Sequence, residues 1–192
     1  MNKPTADVSV RIAWSGDADA VARCQVRGWR DAYASVLPGD VLAELDPDEF
    51  AAKWRASLDK PVDARNRVLV ALERSAVRGF AVTSPAADPD CDPIVDGEIT
   101  EFVIDPDHRR EGHGSRLLQA CTDTLRADQF TRAVWWLPVQ DDPLREFVTS
   151  TGWAADGAHR ELDLAGDGQV RLKQVRLHTS LVESDNPVES DG

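Results

Sequence analysis

The fold of this chain is decided between residues 99 and 115, which read ITEFVIDPDHRREGHGS. An apolar run ends at Asp105 and Pro106, a turn containing Gly112 and Gly114 follows, and a helical pattern then begins. The first N–H groups of a helix have no acceptor within it and lie at the positive end of its dipole, so they bind phosphate. The glycines let an anion approach the backbone. The stretch therefore predicts a strand, a phosphate-binding turn and a helix with an inner face of Leu117, Leu118, Cys121 and Leu125.

This strand-turn-helix resembles the acyl-CoA-binding motif of the GNAT superfamily, the Gcn5-related N-acetyltransferases. The motif is Arg or Gln, two residues, Gly, one residue, then Gly or Ala, and Arg109, Gly112 and Gly114 fit it. The resemblance implies that the coenzyme A pyrophosphate lies on the turn and that pantetheine runs along the preceding strand. A non-binding turn that keeps its glycines for backbone reasons is the alternative. The implied coenzyme A residues are Phe102, Val103, Ile104, Arg109, Arg110, Glu111, Gly112, His113, Gly114 and Ser115.

Composition favours one globular domain, because 192 residues with 42% hydrophobic side chains suffice for a sizeable core. We expect the domain at residues 8–181, disordered termini at 1–7 and 182–192, and a cytoplasmic protein, since neither a long apolar span nor a secretory signal is visible. Three distant cysteines predict free thiols. The four histidines have no paired ligand spacing, so we expect no metal. The ring of His113 is either a donor to phosphate or a solvent-exposed turn residue.

The formal net charge of −12 disfavours nonspecific binding to nucleic acid or to an anionic membrane, since both require many cationic side chains. A small-molecule or peptide amine that carries a positive charge is the partner that this charge attracts. Much of the acidic excess falls in segments that look solvated, where such residues more often serve solubility.

Hydrophobic periodicity predicts alternating strands and helices. We expect a strand at 8–14, a helix from Asp17 that stops at Pro38, and a second helix capped by Asp46. Two strands at 68–72 and 77–83 follow, then a long mobile loop at 84–97, whose prolines oppose a ladder or a helix. After the motif come a strand at 133–139, a helix at 142–150 and a hairpin of 158–164 with 170–181. In its second strand the apolar residues change from even positions to odd ones, which predicts a β-bulge near Lys173 and Gln174.

This order agrees with the fold that the resemblance implies. The expected class is α/β (α+β), a mixed, mostly antiparallel sheet of six or seven strands with helices on both faces. In that family the fourth and fifth strands splay apart and the acyl thioester lies in the gap. The implied lining is Glu101, Phe102 and Val103 on one side and Trp135, Trp136 and Leu137 on the other.

Acyl transfer to an amine requires a group that takes a proton, because an alkyl ammonium titrates near ~10.4. Glu98 and Glu101 on the motif strand are the candidate general bases. A spacing of three places them on opposite faces of a regular strand unless a bulge intervenes. Glu101 lies nearer the expected thioester and is preferred; a solvent-facing glutamate without chemistry is the alternative.

Two further groups complete the expected chemistry. A backbone N–H near Val103 or Ile104 is expected to stabilise the oxyanion. Many family members place a Tyr before a Gly-aromatic pair to protonate the departing thiolate, but Val148 occupies that position here. Either Thr149, Ser150 or water replaces the Tyr, or the chain binds acyl-CoA without transferring the acyl group.

Aromatic residues are the candidates for the acceptor site. Trp29, Tyr33 and Trp136 are predicted to bind substrate, although aromatic residues at helical and strand spacing more often belong to the core. The resulting hypothesis is an acetyl-CoA-dependent N-acetyltransferase that uses direct attack in a ternary complex, with a homodimer allowed. A non-catalytic acyl-CoA sensor or structural subunit is the first alternative, and a nucleotide-binding protein is a weaker one.

Overall fold

A seven-stranded sheet in the order β1-β2-β3-β4-β5-β7-β6 organises the computed structural model, which describes residues 8–164, 166, 168 and 170–182. The strands are β1 Val8–Ile12, β2 Arg67–Glu73, β3 Ala76–Pro85, β4 Asp96–Ile104, β5 Arg132–Pro138, β6 Ala154–Asp163 and β7 Arg171–Ser180. The helices are α1 Ala18–Ala32, α2 Gly39–Ala43, α3 Pro47–Asp59, α4 His113–Ala127 and α5 Asp142–Ser150. None of the helices in the described ranges is long and apolar enough to cross a membrane.

The pairing of β4 with β5 is the parallel one, and every other neighbouring pair is antiparallel. It runs from Asp96 with Arg132 to Ile99 with Trp135 and then stops. β4 continues along β3 to Ile104, and β5 continues along β7 to Pro138. The two strands therefore splay apart, and the predicted fold class is confirmed.

The two faces of the sheet carry separate cores. Along β2, Leu69 and Ala71 belong to one cluster with α4 and α5, whereas Val68, Val70 and Leu72 belong to the cluster under α1. This alternation is the period of two that a strand covered on both faces requires. α1 packs against α3 on its face of the sheet.

A β-bulge interrupts β4 at Thr100. Val82 of β3 lies opposite Glu101, whereas the next residue, Thr83, lies opposite Ile99, so Thr100 has no partner in the register. The extra residue shifts the alternation of β4 by one. The side chains of Glu98 and Glu101 consequently lie on the same face, that of α1 and α3.

Several predicted boundaries need correction. α1 ends at Ala32, and a short additional helix, α2, follows Pro38. The loop predicted at 84–97 is shorter, because Ser84 and Pro85 of β3 pair with Glu98 and Gly97 of β4. Asp92 orders the rest by accepting backbone hydrogen bonds from Ile94, Val95 and Asp96. The predicted disorder of 1–7 and of 182–192, apart from Val182, lies outside the described residues.

The bulge predicted in β7 lies in β6 instead. β7 pairs with β5 without interruption from Gln174 to Ser180, and the shift in the hairpin lies between Ala155 and His159. The apparent change of phase has another cause, because the even positions of β7 hold the buried polar residues Gln174 and Arg176. Arg160 donates to Gln174, and Arg176 is paired with acidic side chains, so both buried polar groups have hydrogen-bond partners.

Gly28 sets the distance between α1 and β4. A Cβ at this position would lie 2.3 Å from Val103 Cγ1, whereas one at Gly39 would meet no atom within 4 Å. We expect Gly28→Ala to lower the free energy of unfolding by about 1–3 kcal/mol through overpacking, despite the better helix propensity of alanine. Gly39→Ala is the matched control and stays within about 0.5 kcal/mol of the wild type.

Denaturant unfolding of both variants measures these effects. In a Val103→Ala background the cost of Gly28→Ala should shrink, because the clashing methyl is gone. An equal cost in both backgrounds would contradict the packing explanation.

Candidate active site

The turn before α4 is anchored to α1 and β3 through Asp105. Asp105, almost fully buried, forms an ion pair with Arg27 of α1, and its backbone N–H donates to Arg78 O at 2.8 Å. Arg110 and Gly112 adopt left-handed backbone conformations with φ of 63° and 86°. Such a pair of positive φ values turns the chain sharply into α4, and Gly112 accepts its conformation without strain.

The start of α4 presents backbone N–H donors that no side chain caps. Gly112 is the N-cap and has no side chain to cap the helix, so the N–H groups of His113, Gly114 and Ser115 have no acceptor within the helix. A Cβ at Gly114 would lie 3.8 Å from Ile104 Cγ1 and from Phe147 Cζ. The donors therefore lie beside the end of β4 and beside α5, where a phosphate-bearing chain entering the gap would pass. This geometry fits the pyrophosphate of coenzyme A.

The charged side chains of the turn differ in the ion pairs that they form. Arg109 pairs with Asp31 at 2.7 Å, whereas Arg110 has no ion pair with any residue in the described part of the chain. Glu111 Oε2 lies 3.1 Å from His108 Nδ1 and 3.6 Å from His113 Nε2. Arg110 is thus more available to a phosphate than Arg109. Glu111 instead contacts the two histidines of the turn, His108 and His113.

The ring of His113 is buried, with 1% of its surface exposed. Its Nδ1 has no hydrogen-bond partner among the described residues, and burial lowers the pKa of the imidazole. The interpretation of His113 as a solvent-exposed turn residue is therefore wrong. Because the ring is buried, the donor that His113 offers to a phosphate is its backbone N–H.

The gap between β4 and β5 is bordered by backbone groups without a strand partner. The bond from Asp105 N to Arg78 O fixes which residues of β4 bond to β3, and these groups alternate along an antiparallel pair. Val103 therefore bonds to β3, while Phe102 and Ile104 direct their N–H and C=O groups into the gap. Beyond Ile99 no residue of β5 pairs with them in the described structure.

Side chains divide the gap between the two faces of the sheet. Phe102 and Trp135 face α4 and α5, and their ring centroids lie 4.9 Å apart. Val103 lies in the cluster under α1, and Glu101 lies on that same face. The predicted gap-lining residues therefore do lie along β4 and β5, but on opposite surfaces.

Glu101 is anchored by an indole. Trp29 Nε1 of α1 donates to Glu101 Oε1 at 2.7 Å, and burial raises the pKa of the Glu101 carboxyl. Trp29 packs edge-on against Tyr33, whose own pKa is raised by burial and by the negative charge of Glu101. The structure thus brings together three of the predicted site residues.

Glu98 has a different environment. It is 6% exposed and accepts a hydrogen bond from Ala87 N at 3.3 Å, and burial raises the pKa of its carboxyl. The nearby Arg160 has a lowered pKa because burial outweighs the attraction of Glu98 and Asp88. Glu98 therefore faces the segment between β3 and β4 and the hairpin rather than α1.

A cavity of about 560 Å³ opens beside Glu101, between α1 and α3 on one side and the strands β2 to β4 on the other. Trp29 and Trp54 supply its aromatic wall, and Gln25 accepts a hydrogen bond from Trp54 Nε1 at 2.8 Å. The volume is typical of a small-molecule site. Gln25 was missed by the sequence analysis, although a polar residue four positions from both Val21 and Trp29 on the inner stripe of a helix was its signal.

Trp136 lies outside the lining of this cavity. Its Nε1 donates to Asp88 at 2.5 Å, and the guanidinium of Arg160 lies 4.3 Å from its ring centroid. Buried Arg176 adds ion pairs to Asp90 and Asp156, both at 2.7 Å. Together these residues fasten the segment between β3 and β4 to the hairpin, and the structure does not bring Trp136 together with Trp29 and Tyr33.

α5 carries Val148 at the position of the expected Tyr. Val148 is completely buried in the core shared by α4 and α5. The hydroxyls of Thr149 and Ser150 donate to the helix carbonyls of Arg145 and Phe147 at 2.8 and 2.6 Å. Both exposed hydroxyls thus bond to carbonyl groups of their own helix.

Comparisons with known proteins agree with this geometry. A model described as the acetyltransferase (GNAT) family matches residues 28–153, more than half of the chain. The uncharacterized N-acetyltransferase YuaI of Bacillus subtilis is 28% identical over 170 residues, which are 88% of this chain and 91% of that protein.

Two solved structures show the same fold. The yncA protein of Salmonella typhimurium, solved with acetyl-CoA, matches with a TM-score of 0.68 and 20% identity, covering 94% of this chain and 98% of that one. The paia N-acetyltransferase of Thermoplasma acidophilum, solved with coenzyme A, matches with a TM-score of 0.65 and 12% identity, covering 91% and 99%. The resemblance carried by Arg109, Gly112 and Gly114 is confirmed: the chain belongs to the GNAT acetyltransferase family.

Proposed function

We propose that this protein transfers the acetyl group of acetyl-CoA to a primary amine by direct attack, with Glu101 as the general base. The observation that carries this proposal is the β4 bulge, which turns Glu101 onto the face of the sheet that lines the cavity, two residues beyond the end of the pairing between β4 and β5. The same acetyl donor is present in the solved yncA structure. The amides at the start of α4 supply the phosphate site that such a donor needs.

The reaction removes two protons from the ammonium form of the acceptor. Glu101 takes the first, directly or through a water molecule, which frees the nitrogen lone pair. The nitrogen then bonds to the thioester carbon, the carbon–sulfur bond breaks, and the second proton ends on the departing sulfur. The products are an N-acetyl amide and the thiol of coenzyme A, and Glu101 returns its proton to solvent.

Burial suits Glu101 for this role. A carboxylate with a raised pKa is a stronger base than an exposed one. Trp29 keeps the carboxylate oriented by its 2.7 Å hydrogen bond. Glu98 shares the face but contacts Ala87 N, so we assign it to holding the segment between β3 and β4.

The N–H groups of Phe102 and Ile104 are the proposed donors to the oxyanion and to the pantetheine arm. Both point into the gap, whereas Val103 N–H is directed at β3. Donors that are fixed before the reaction stabilise developing charge without reorganisation. Of the two positions suggested by the sequence, Ile104 is therefore retained and Val103 is replaced by Phe102.

The chain has no need of an acyl-enzyme intermediate. Burial raises the pKa of Cys24 to about 12 and that of Cys121 further, so both remain thiols at neutral pH. Because a thiol titrates near ~8.5, the coenzyme A thiolate leaves without a dedicated acid, and water protonates it.

A second candidate function is acyl-CoA binding without transfer. The buried Val148 and the committed hydroxyls of Thr149 and Ser150 favour it, because α5 then offers no acid to the leaving group. Release of free thiol from acetyl-CoA on addition of an amine separates the two functions.

The role of Glu101 predicts a particular pH dependence. Glu101→Gln should lower kcat/KM at pH 7 by about 100-fold, within the usual range for loss of a general base. The deficit should shrink above about pH 10, where the acceptor amine is already neutral. The raised pKa of Glu101 places the acid limb of the wild-type profile above the ordinary value of ~4.3, and the variant should lose that limb.

Thiol release across the pH range measures this profile. Glu98→Gln is the matched control and should keep the acid limb. If kcat/KM of Glu101→Gln falls by the same factor at every pH, proton transfer to this residue is contradicted.

The phosphate turn predicts a binding defect without unfolding. In Gly114→Val the side chain projects beside Ile104 and Phe147 into the space over the free amides. We expect the Kd for coenzyme A to rise by about tenfold or more, equivalent to ~1.4 kcal/mol. Gln119→Val, on the exposed side of α4, is the control for the lower helix propensity of valine. Calorimetric titration showing equal affinity in the two variants would remove the turn from the site.

A further inference from the structure

The cavity beside Glu101 has a simple charge pattern. Of its described lining residues, only Arg67 and Glu101 carry charged side chains. Arg67 lies on the same face of β2 as Leu69 and Ala71, because alternate residues of a strand point the same way. Its side chain therefore points toward α4, on the face of the sheet opposite the cavity. There it donates two hydrogen bonds to Asp128, at 2.8 and 3.1 Å. Within the described lining, Glu101 is therefore the one charge that faces the cavity.

The remaining surface of the cavity is neutral. Trp29 and Trp54 are both half-buried, so part of each indole is available to an occupant. Leu58, Val68 and Val82 extend the apolar wall. The other polar groups, such as Gln25, Ser57 and Thr100, carry no charge. An occupant with an apolar body would bury its surface here without losing a charged partner.

An anionic group would be poorly accommodated. A carboxylate that enters the cavity loses part of its hydration and finds no cationic side chain to replace it among the described lining residues. It would also lie near the negative charge of Glu101. A second ammonium group would likewise have no partner beyond Glu101, which the reacting ammonium already occupies.

We propose that the acceptor is an apolar monoamine: one primary ammonium joined by a short alkyl chain to an aromatic or branched apolar body, without a carboxylate or phosphate. This inference rests on the proposed function and adds the substrate class. The ammonium lies at Glu101, and the apolar body lies between the indoles of Trp29 and Trp54. Amino acids, polyamines and acidic peptides are poor acceptors.

Thiol release from acetyl-CoA tests the proposal with three amines, 2-phenylethylamine, phenylalanine and spermidine. The first two differ only by a carboxylate beside the reacting nitrogen. We expect kcat/KM for 2-phenylethylamine to exceed that for phenylalanine by about 100-fold or more, since an unpaired charge is costly in such a site. It should also exceed the value for spermidine.

A charge introduced into the wall gives a second test. Ser57 is exposed on α3 and lines the cavity, so a longer side chain is tolerated there. In Ser57→Arg the ratio of kcat/KM for 2-phenylethylamine to kcat/KM for phenylalanine should fall by about tenfold, because the guanidinium offers the carboxylate a partner. Ser57→Met, neutral and also long, should leave the preference unchanged.

The outcomes separate this inference from the function on which it rests. Equal use of phenylalanine and 2-phenylethylamine, a preference for spermidine, or an unchanged preference in Ser57→Arg would overturn the apolar monoamine and leave the acetyltransferase intact. Binding of acetyl-CoA without thiol release for any of the three amines would overturn both.

Discussion

β4 and β5 exchange backbone hydrogen bonds only as far as Ile99 and Trp135, and the remainder of the site depends on that early end. Buried backbone donors and acceptors need partners, so a gap between neighbouring strands is stable only if a ligand or water fills it. The ladders to β3 and β7 hold both strands in place up to Ile104 and Pro138. The sheet therefore offers the N–H groups of Phe102 and Ile104 to an incoming chain at no cost of rearrangement.

The bulge at Thr100 converts this backbone opening into a chemical site. One additional residue in β4 turns Glu101 toward α1, and the absence of a side chain at Gly28 lets α1 approach closely enough for Trp29 to reach it. The carboxylate is thereby partly shielded from solvent while it keeps one donor. Burial raises the pKa of this carboxyl, and the hydrogen bond from Trp29, which favours the charged form, only partly offsets the rise.

Local sequence patterns account for most of the architecture. The spacing of Arg109, Gly112 and Gly114 predicted the turn, and periodicity predicted the strand and helix order. Register is different, because it depends on which residues of β3 lie opposite β4, and the extra residue at Thr100 leaves no local mark. For the same reason the sequence analysis left Glu98 and Glu101 on opposite faces unless a bulge intervened.

Residues that combine polar chemistry with burial were the other source of error. The even positions of β7 look exposed by composition, but Arg160 and acidic side chains distant in sequence satisfy Gln174 and Arg176. His113 looks like a surface residue between two glycines, yet its ring enters the core. The segment between β3 and β4 looks solvated, yet Arg176 and Trp136 hold its acidic residues. The partners of Gln174, Arg176 and Trp136 are distant in sequence, and a single sequence does not reveal them.

The central claim is that acetyl-CoA lies in the gap and bonds to the outward-facing amides of β4. Amide hydrogen exchange, measured residue by residue with and without saturating acetyl-CoA, tests it most directly. The account predicts slower exchange at Phe102 and Ile104 and at Gly114 on binding, with little change at Val103, whose N–H already bonds to β3. Unchanged exchange at Phe102 and Ile104 in the bound protein would contradict it.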